Sequence, residues 1–323
     1  MDLPLLESVP NVSVGRDVAV VDMLVDAARE GARAAGAADG TGAEVVDVHR
    51  DSDHDRSVLT ILGRGEALAG ALEALARVAV EALDLHAGHG VHPRVGVLDV
   101  VPIIAMEEGD AAFAAAQSMA ARVGTYIGTT LEVPVVRYGL DAGRERIEGA
   151  GYTGEVRRGG PATVAERVMY GDLARIAGPN APHPTAGMTI CGVREVLVAF
   201  NVDLDADGLD AARAIAGRIR ATADSDDMLL GVRALGLRLA SRGVAQVSTN
   251  IEIHASVGPA RVLSAITRIA TELGVGVSAA ELVGLAPDTA LAPLRYACTG
   301  GGIPLLASSQ PSLDEARRSF DAP

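Results

Sequence analysis

The sequence predicts an α+β protein of two ferredoxin-like βαββαβ lobes with an interlobe cleft. Three observations predict it. Hydropathy patterning gives the order β-α-β-β-α-β in the N-terminal half and the same order again in the C-terminal half. Between them, from about Asp141 to Gly187, runs a stretch rich in Gly, Pro and Arg, long enough to read as a functional segment or a linker. At 323 residues the chain can bury one large core or two medium ones. Lobes of 1–175 and 176–323 accommodate both halves, with a cleft between lobes as the default ligand site.

In the first lobe LESVPNVSVG reads as a strand, and AVVDMLVDAAREGARAAG has helical periodicity with Gly36 as its C-cap. AEVVDVHR and SVLTILG are β-branched runs joined by the turn-like DSDHDR, hence a hairpin. EALAGALEALARVAVEAL is a second helix and VGVLDVVPIIAM a strand. A further helix, DAAFAAAQSMAARVGTYIG, and strand, VPVVRYG, precede the Gly-rich stretch. In the second lobe REVLVAFNVDL, VRALGLRLA, VAQVSTNIEIH and VSAAELVGLAP read as strands, with helices at GLDAARAIAGRIRA and PARVLSAITRIATELG. The polar tail SSQPSLDEARRSFDAP holds a short helix expected to pack on the second lobe.

Hydrophobic residues form 49% of the chain but aromatics only 2%, with no Trp, so the cores must be built from Ala, Val and Leu. A formal net charge of -14 repels phosphate backbones and anionic surfaces. It argues against nucleic acid or membrane as a partner and leaves any anionic ligand to a local cluster of Arg. No apolar run approaches a membrane span, and MDLPLLESVPNVSVGRD lacks the basic and apolar regions of a signal peptide, so a cytoplasmic location is expected. Cys191 and Cys298 are too few for a disulfide framework or a Cys-based zinc site and read as small core hydrophobes.

The segment HAGHGVHPR places His86, His89 and His92 three residues apart among glycines. Three imidazoles suit a metal, but the glycines favour a loop and no HExxH pattern accompanies them. An acid/base or positioning role for at least one His is the stronger reading. NVSVGRD sets Asn11, Ser13, Gly15 and Arg16 between a strand and a helix, where backbone N–H groups can hold an anion or simply turn the chain. VRRGGPATVAE sets Arg157 and Arg158 beside Gly159, which suggests bidentate carboxylate recognition or a solvated turn. His183, Thr185, Gln246, Ser248, Thr249 and Asn250 interrupt apolar runs, so they line a cleft or satisfy the backbone.

Taken together, VPNVSVGRD, DVHRDSDHDRSVLT, GVHPRVGVLDVVP, RRGG, GVREVLVAFNV, GVRALGL, AQVSTN and ELVGLAP resemble the glutamate formimidoyltransferases, the folate-dependent enzymes of histidine breakdown. The blocks keep the family's order from about Val9 to Pro287. The resemblance implies two ferredoxin-like subdomains, a homodimer, and transfer of a formimidoyl group from N-formimidoyl-glutamate, or a related amine, to tetrahydrofolate. Tetrahydrofolate is then a co-substrate and no metal is required. It implies Arg157, Arg158, Gly159, His183, Thr185 and Asn250 for folate, and Asn11, Arg16, His92 and Arg94 for the formimidoyl donor.

The family's catalytic His belongs to a pattern H-x-G-x-H-P-R-x-G. Aligned on HPRVG, that position falls on Gly88, and the proton shuttle is assigned to His89, with His86 as its substitute. Val14 stands where the family has an acid, Asp55 lies in the hairpin turn, and RIA precedes Gly178 and Pro179 in place of Pro-Asp-Phe. Three readings follow: a formimidoyltransferase working through His89, a related transferase with an altered substrate in secondary metabolism, or a catalytically silent folate-binding protein.

Overall fold

Pro10 divides the first predicted strand, because proline has no N–H to give to a neighbouring strand. In the computed structural model, which describes residues 3–205, 208–225, 227–306 and 309–322, the segment forms β1 (Leu6–Ser8) and β2 (Asn11–Val12). The Pro10 carbonyl still accepts from the Leu59 N–H at 3.0 Å, so the break stays within the sheet. Helix α1 (Val18–Gly36) begins at Asp17, whose side chain accepts from the Val20 N–H. Strands β3 (Ala43–Asp51) and β4 (Arg56–Gly63) make the expected hairpin. Helix α2 (Gly65–Ala82) returns the chain to β5 (Leu98–Ala105). Both β1 and β2 lie between β4 and β5, and β3 flanks β4. That is the ferredoxin-like order.

Small residues let the first two helices meet closely. A Cβ at Gly31 would fall on the Gly70 carbonyl oxygen, and one at Gly70 would press on Gly31 and Ala35. Gly36, expected just past α1 as its cap, is instead its last helical residue. A Cβ there would strike the Thr41 carbonyl, so this glycine gives clearance to the returning chain rather than a left-handed cap.

Helix α3 (Asp110–Thr129) and strand β6 (Val135–Gly139) follow. The stretch expected to be irregular holds α4 (Thr153–Val156), α5 (Gly160–Met169) and β7 (Arg175–Ala177). Its glycines obscure a helix that starts at Gly160, with Pro161 in its first turn, directly after Gly159, whose φ is +85°. Strand β8 (Thr189–Val193) is buried at every position and so lacks the alternation that marks a half-buried strand. It runs parallel between β5 and β6, and the sheet continues β5-β8-β6-β7. Because β8 belongs to this sheet, the two compact units divide between Glu195 and Val196, not at 175/176. Leu98, Val101 and Ile103 of β5 pack under α1, α2 and α3, while Val100 faces a smaller core with Val156 and Val164 of α4 and α5.

The second unit comprises β9 (Val198–Leu204), α6 (Leu209–Ala223), β10 (Val232–Leu239), β11 (Val244–Ile251), α7 (Pro259–Glu272), β12 (Val277–Val283), α8 (Asp288–Gly301), β13 (Leu305–Leu306) and α9 (Leu313–Phe320). Its order, β10-β11-β9-β12, repeats the ferredoxin-like arrangement, with β13 added parallel to β12. Phe200, Val202, Val247 and Leu282 share its core with Ile215, Ile219 and Ile266. The tail helix α9 is tied to this unit by Leu313 N–H donating to the Ala286 carbonyl. Both cysteines are buried, and burial pushes the Cys191 thiol up to about 12.

Candidate functional site

Asp99 owes its position to an irregularity in the sheet. Asn11 pairs with Val100 and Val12 with Leu98, so the register skips Asp99 and leaves it as the extra residue of a β-bulge. Its side chain is fully buried. Oδ1 accepts from the Val95 N–H at 2.8 Å, and Oδ2 accepts from Arg56 Nη1 at 2.9 Å and Arg157 Nη2 at 2.5 Å. Burial works to raise the Asp99 pKa, but Arg157 and Arg56 outweigh it and hold it below the usual Asp value.

Arg56 organises the surrounding groups. Its Nε and Nη2 donate to Asn11 Oδ1 at 3.0 and 2.6 Å, and its Nη1 lies 3.1 Å from His92 Nδ1. His92 Nδ1 also lies 2.8 Å from the Pro93 carbonyl, so this nitrogen either accepts from Arg56 with the ring proton on Nε2 or carries the proton itself and donates to Pro93. Burial, followed by the charges of Arg56, Arg157 and His54, holds His92 well below the ordinary histidine value, so it is neutral at pH 7. Burial pulls Arg56 down to about 10 in spite of Asp99, with Arg157 and Arg94 also opposing its charge. The Asp99 carboxylate is thus shared by two guanidinium groups, with the charge of Arg94 also felt at Arg56, an excess of positive charge in an otherwise acidic chain.

The β3–β4 turn forms a second centre. Asp55 adopts φ +46°, and its Oδ1 accepts from the Gly15 and Arg16 N–H groups while Oδ2 accepts from the His89 N–H at 3.3 Å. Glycines make this approach feasible: a Cβ at Gly15 would strike the Asp51 carbonyl, and one at Gly90 the His54 carbonyl. The loop after β2 and the histidine loop are therefore both fastened to one turn.

The structure brings Asn11, His92 and Arg157 together around Asp99, with Arg94 close to Arg56. Arg16 and His89 meet at Asp55; the Arg16 side chain is exposed and donates to the Ser52 carbonyl, and the His89 imidazole is exposed. His86 is exposed, with Nε2 3.0 Å from the Pro184 carbonyl. His183 closes its own turn: Nδ1 accepts from the Thr185 and Ala186 N–H groups at 3.3 and 3.0 Å. Arg158 and Gly159 lie exposed at the start of α5, and Asn250 belongs to the second unit, opposite Ala199 and Arg233. Arg56 and Asp99 are the central residues that sequence reasoning did not select. Asp99 carried a signal, a lone carboxylate inside the apolar run VLDVVP.

In the second unit one sheet face is polar. Gln246 Nε2 and Arg242 Nη1 donate to Asp203 at 2.8 and 3.0 Å, and Asn201 Nδ2 donates to Glu281 at 3.4 Å. Thr249 points to the other face and donates to the Phe200 carbonyl, which satisfies the backbone. Among the described residues no group of three His, Cys, Asp or Glu side chains is arranged to hold a metal ion, and no helix is long and apolar enough to cross a membrane.

Comparison with known proteins covers both units. The model for the formiminotransferase domain, N-terminal subdomain, matches residues 5–194, and that for the formiminotransferase domain matches residues 199–297. The chain is 33% identical over 287 residues to a glutamate formimidoyltransferase of Streptococcus pyogenes serotype M1, covering 89% of this chain and 90% of that protein. It is 29% identical over 310 residues to the glutamate formimidoyltransferase of Thermoplasma acidophilum, covering 90% of each. To the formimidoyltransferase-cyclodeaminase of Sus scrofa it is 34% identical over 293 residues, 89% of this chain but 51% of that protein.

Proposed function

Because this chain belongs to the formiminotransferase family, we propose that it transfers the formimidoyl group of N-formimidoyl-glutamate to tetrahydrofolate. The observation that carries the reading into the site is the cationic surplus at Arg56, Arg94 and Arg157, since both reactants carry carboxylates. Arg157 Nε and Arg94 Nη1 are buried without an acceptor, which fits an anionic reactant. Arg157, with Arg158 and Gly159 at the start of α5, would hold folate; Asn11, Arg16, His92 and Arg94 would hold the donor. His183, Thr185 and Asn250 belong to the folate side of the same proposal.

The N5 amine of tetrahydrofolate attacks the amidine carbon of the donor, giving a tetrahedral intermediate. N5 must then lose a proton, and the glutamate nitrogen must gain one before its bond to that carbon breaks. A single imidazole serves both steps. His89 is the residue we assign, with His86 as its substitute. His92 is kept neutral and is engaged by Arg56, His183 is an acceptor in its own turn, and His86 lies against Pro184. The His89 imidazole is exposed, and its main chain is fixed by Asp55. The same reading makes the protein a cytoplasmic homodimer of histidine breakdown and one-carbon metabolism that works without a metal.

The decisive experiment is incubation of the purified protein with N-formimidoyl-glutamate and tetrahydrofolate, with formimidoyl-tetrahydrofolate detected by mass spectrometry. Turnover is expected. Binding of tetrahydrofolate without turnover on this donor or on related formimidoyl amines would make the protein a silent folate binder; turnover on another amine alone would make it a transferase of altered substrate.

A further inference from the structure

Among the described residues, Asp55, Glu132 and Arg144 are left-handed without being glycine, and of the three only Asp55 is buried. That backbone is unfavourable for an L residue and free of penalty for glycine. The turn itself does not need the Asp55 side chain. It is closed by Asp51, whose Oδ1 accepts from the Asp53 and His54 N–H groups at 2.7 Å each. What Asp55 has and glycine lacks is a carboxylate, and both of its oxygens are used. Oδ1 accepts from the Gly15 and Arg16 N–H groups at 3.0 and 3.2 Å, and Oδ2 from the His89 N–H at 3.3 Å. Among the described residues, that bond from His89 is the only hydrogen bond that residues 88–90 make to the rest of the chain. Gly90 lets the loop come so close. A Cβ there would strike the His54 carbonyl oxygen and stand 2.8 Å from Asp55 Cβ, although φ at Gly90 lies outside the left-handed region.

We propose that Asp55 is a positioning residue for the transfer reaction, a clasp that sets the main chain of His89 in register with that of Arg16. Strain is kept at a turn only where the surrounding structure demands it. Here the left-handed backbone aims one carboxylate at two loops that are far apart in sequence. A loop with glycine on both sides of His89 has the backbone freedom to carry the imidazole out of reach of a reacting nitrogen. A displacement of about 1 Å is enough to cost a reaction on the order of a hundredfold in rate. The inference rests on the formimidoyl-transfer reading above, with His89 as the shuttle.

Two variants separate position from stability and from charge. Asp55→Gly removes the carboxylate and suits the backbone, so its thermal midpoint should be unchanged or raised. Gly90→Ala leaves the carboxylate in place and pushes the loop off the turn. Turnover of N-formimidoyl-glutamate with tetrahydrofolate, tetrahydrofolate affinity by isothermal titration and amide exchange by NMR are measured on both variants and on the unmutated protein. In both variants kcat should fall about ten- to a hundredfold, with tetrahydrofolate affinity unchanged. The His89 amide should exchange about tenfold faster or more in both, and the Gly15 and Arg16 amides in Asp55→Gly alone. Asp55→Gly turning over at the unmutated rate would overturn the proposal, because Asp55 would then be only a turn residue. So would a fall in kcat with no faster exchange at His89, or a Gly90→Ala protein whose His89 amide is freed and whose kcat is normal. If the amides behave as expected but the unmutated protein transfers nothing, the transfer reading fails, and with it the catalytic part of the proposal, while the clasp itself stands.

Discussion

Replacing Asp99 by Asn preserves the shape of the side chain and removes its charge. Arg56 and Arg157, whose side chains are 11% and 9% exposed, would lose the carboxylate they share. The amide cannot substitute in either orientation. If its oxygen keeps the Val95 N–H, its NH2 faces two guanidinium donors; if its oxygen turns to the guanidiniums, its NH2 faces the Val95 N–H. Removing one partner of a buried ion pair costs about 3–5 kcal/mol. In a unit of this size that corresponds to a midpoint lower by roughly 6–20 °C. The loss should also depend on pH. The folded pKa of Asp99 lies below its usual 3.8, so its stabilisation is present above that value and lost as pH falls through the folded pKa. Urea denaturation of parent and Asp99→Asn at pH 7 and in acid measures both effects. A loss at pH 7 of under about 1 kcal/mol would refute the account, given the magnitude for a broken buried pair. So would a loss that stays undiminished at a pH where the Asp99 carboxyl of the folded parent has taken up its proton, as followed by carboxyl NMR shifts, since the ion pairs are then gone from the parent as well.

Glu7 behaves in the opposite sense: burial in β1 pushes it up to about 7 against the pull of Arg194, so the stability of its protonated form is full below about 4.5 and lost as pH rises through 7. The window amounts to about 3 kcal/mol, so Glu7→Gln should gain on the parent between pH 5 and pH 8, read from urea midpoints at both. His89→Ala should lower turnover by about two to four orders of magnitude and leave folate affinity intact; the same loss from His86→Ala instead would move the assignment. Gly31→Ala sets a methyl against the Gly70 carbonyl and should destabilise by about 1–3 kcal/mol, measured by thermal denaturation.

The βαββαβ order of each unit is legible because its helices repeat apolar residues at helical spacing and its strands alternate or run β-branched. β8 is not, because TICGV is buried at every position and carries no periodic signal. That omission shifts the boundary between units, since only pairing with β5 and β6 assigns β8 to the first sheet. α5 is hidden by the glycines that start it. Within the site, Asn11, His92 and Arg157 stand out in sequence as polar or cationic groups in apolar or Gly-rich surroundings. Arg56 reads only as the end of a hairpin turn, and nothing local says that its guanidinium reaches Asn11, His92 and Asp99 across the sheet. His183 illustrates the converse: a polar residue in a Gly- and Pro-rich stretch whose ring closes its own turn.

The skipped register at Asp99 bears on how such a site is acquired and lost. Leu98 and Val101 serve one core and Val100 the other, so without Asp99 the three would still alternate faces, and Val12–Leu98 and Asn11–Val100 would become consecutive rungs of an unbroken ladder. Excision of a single codon would therefore leave β5 able to pair as before while removing the anion that holds the guanidinium cluster.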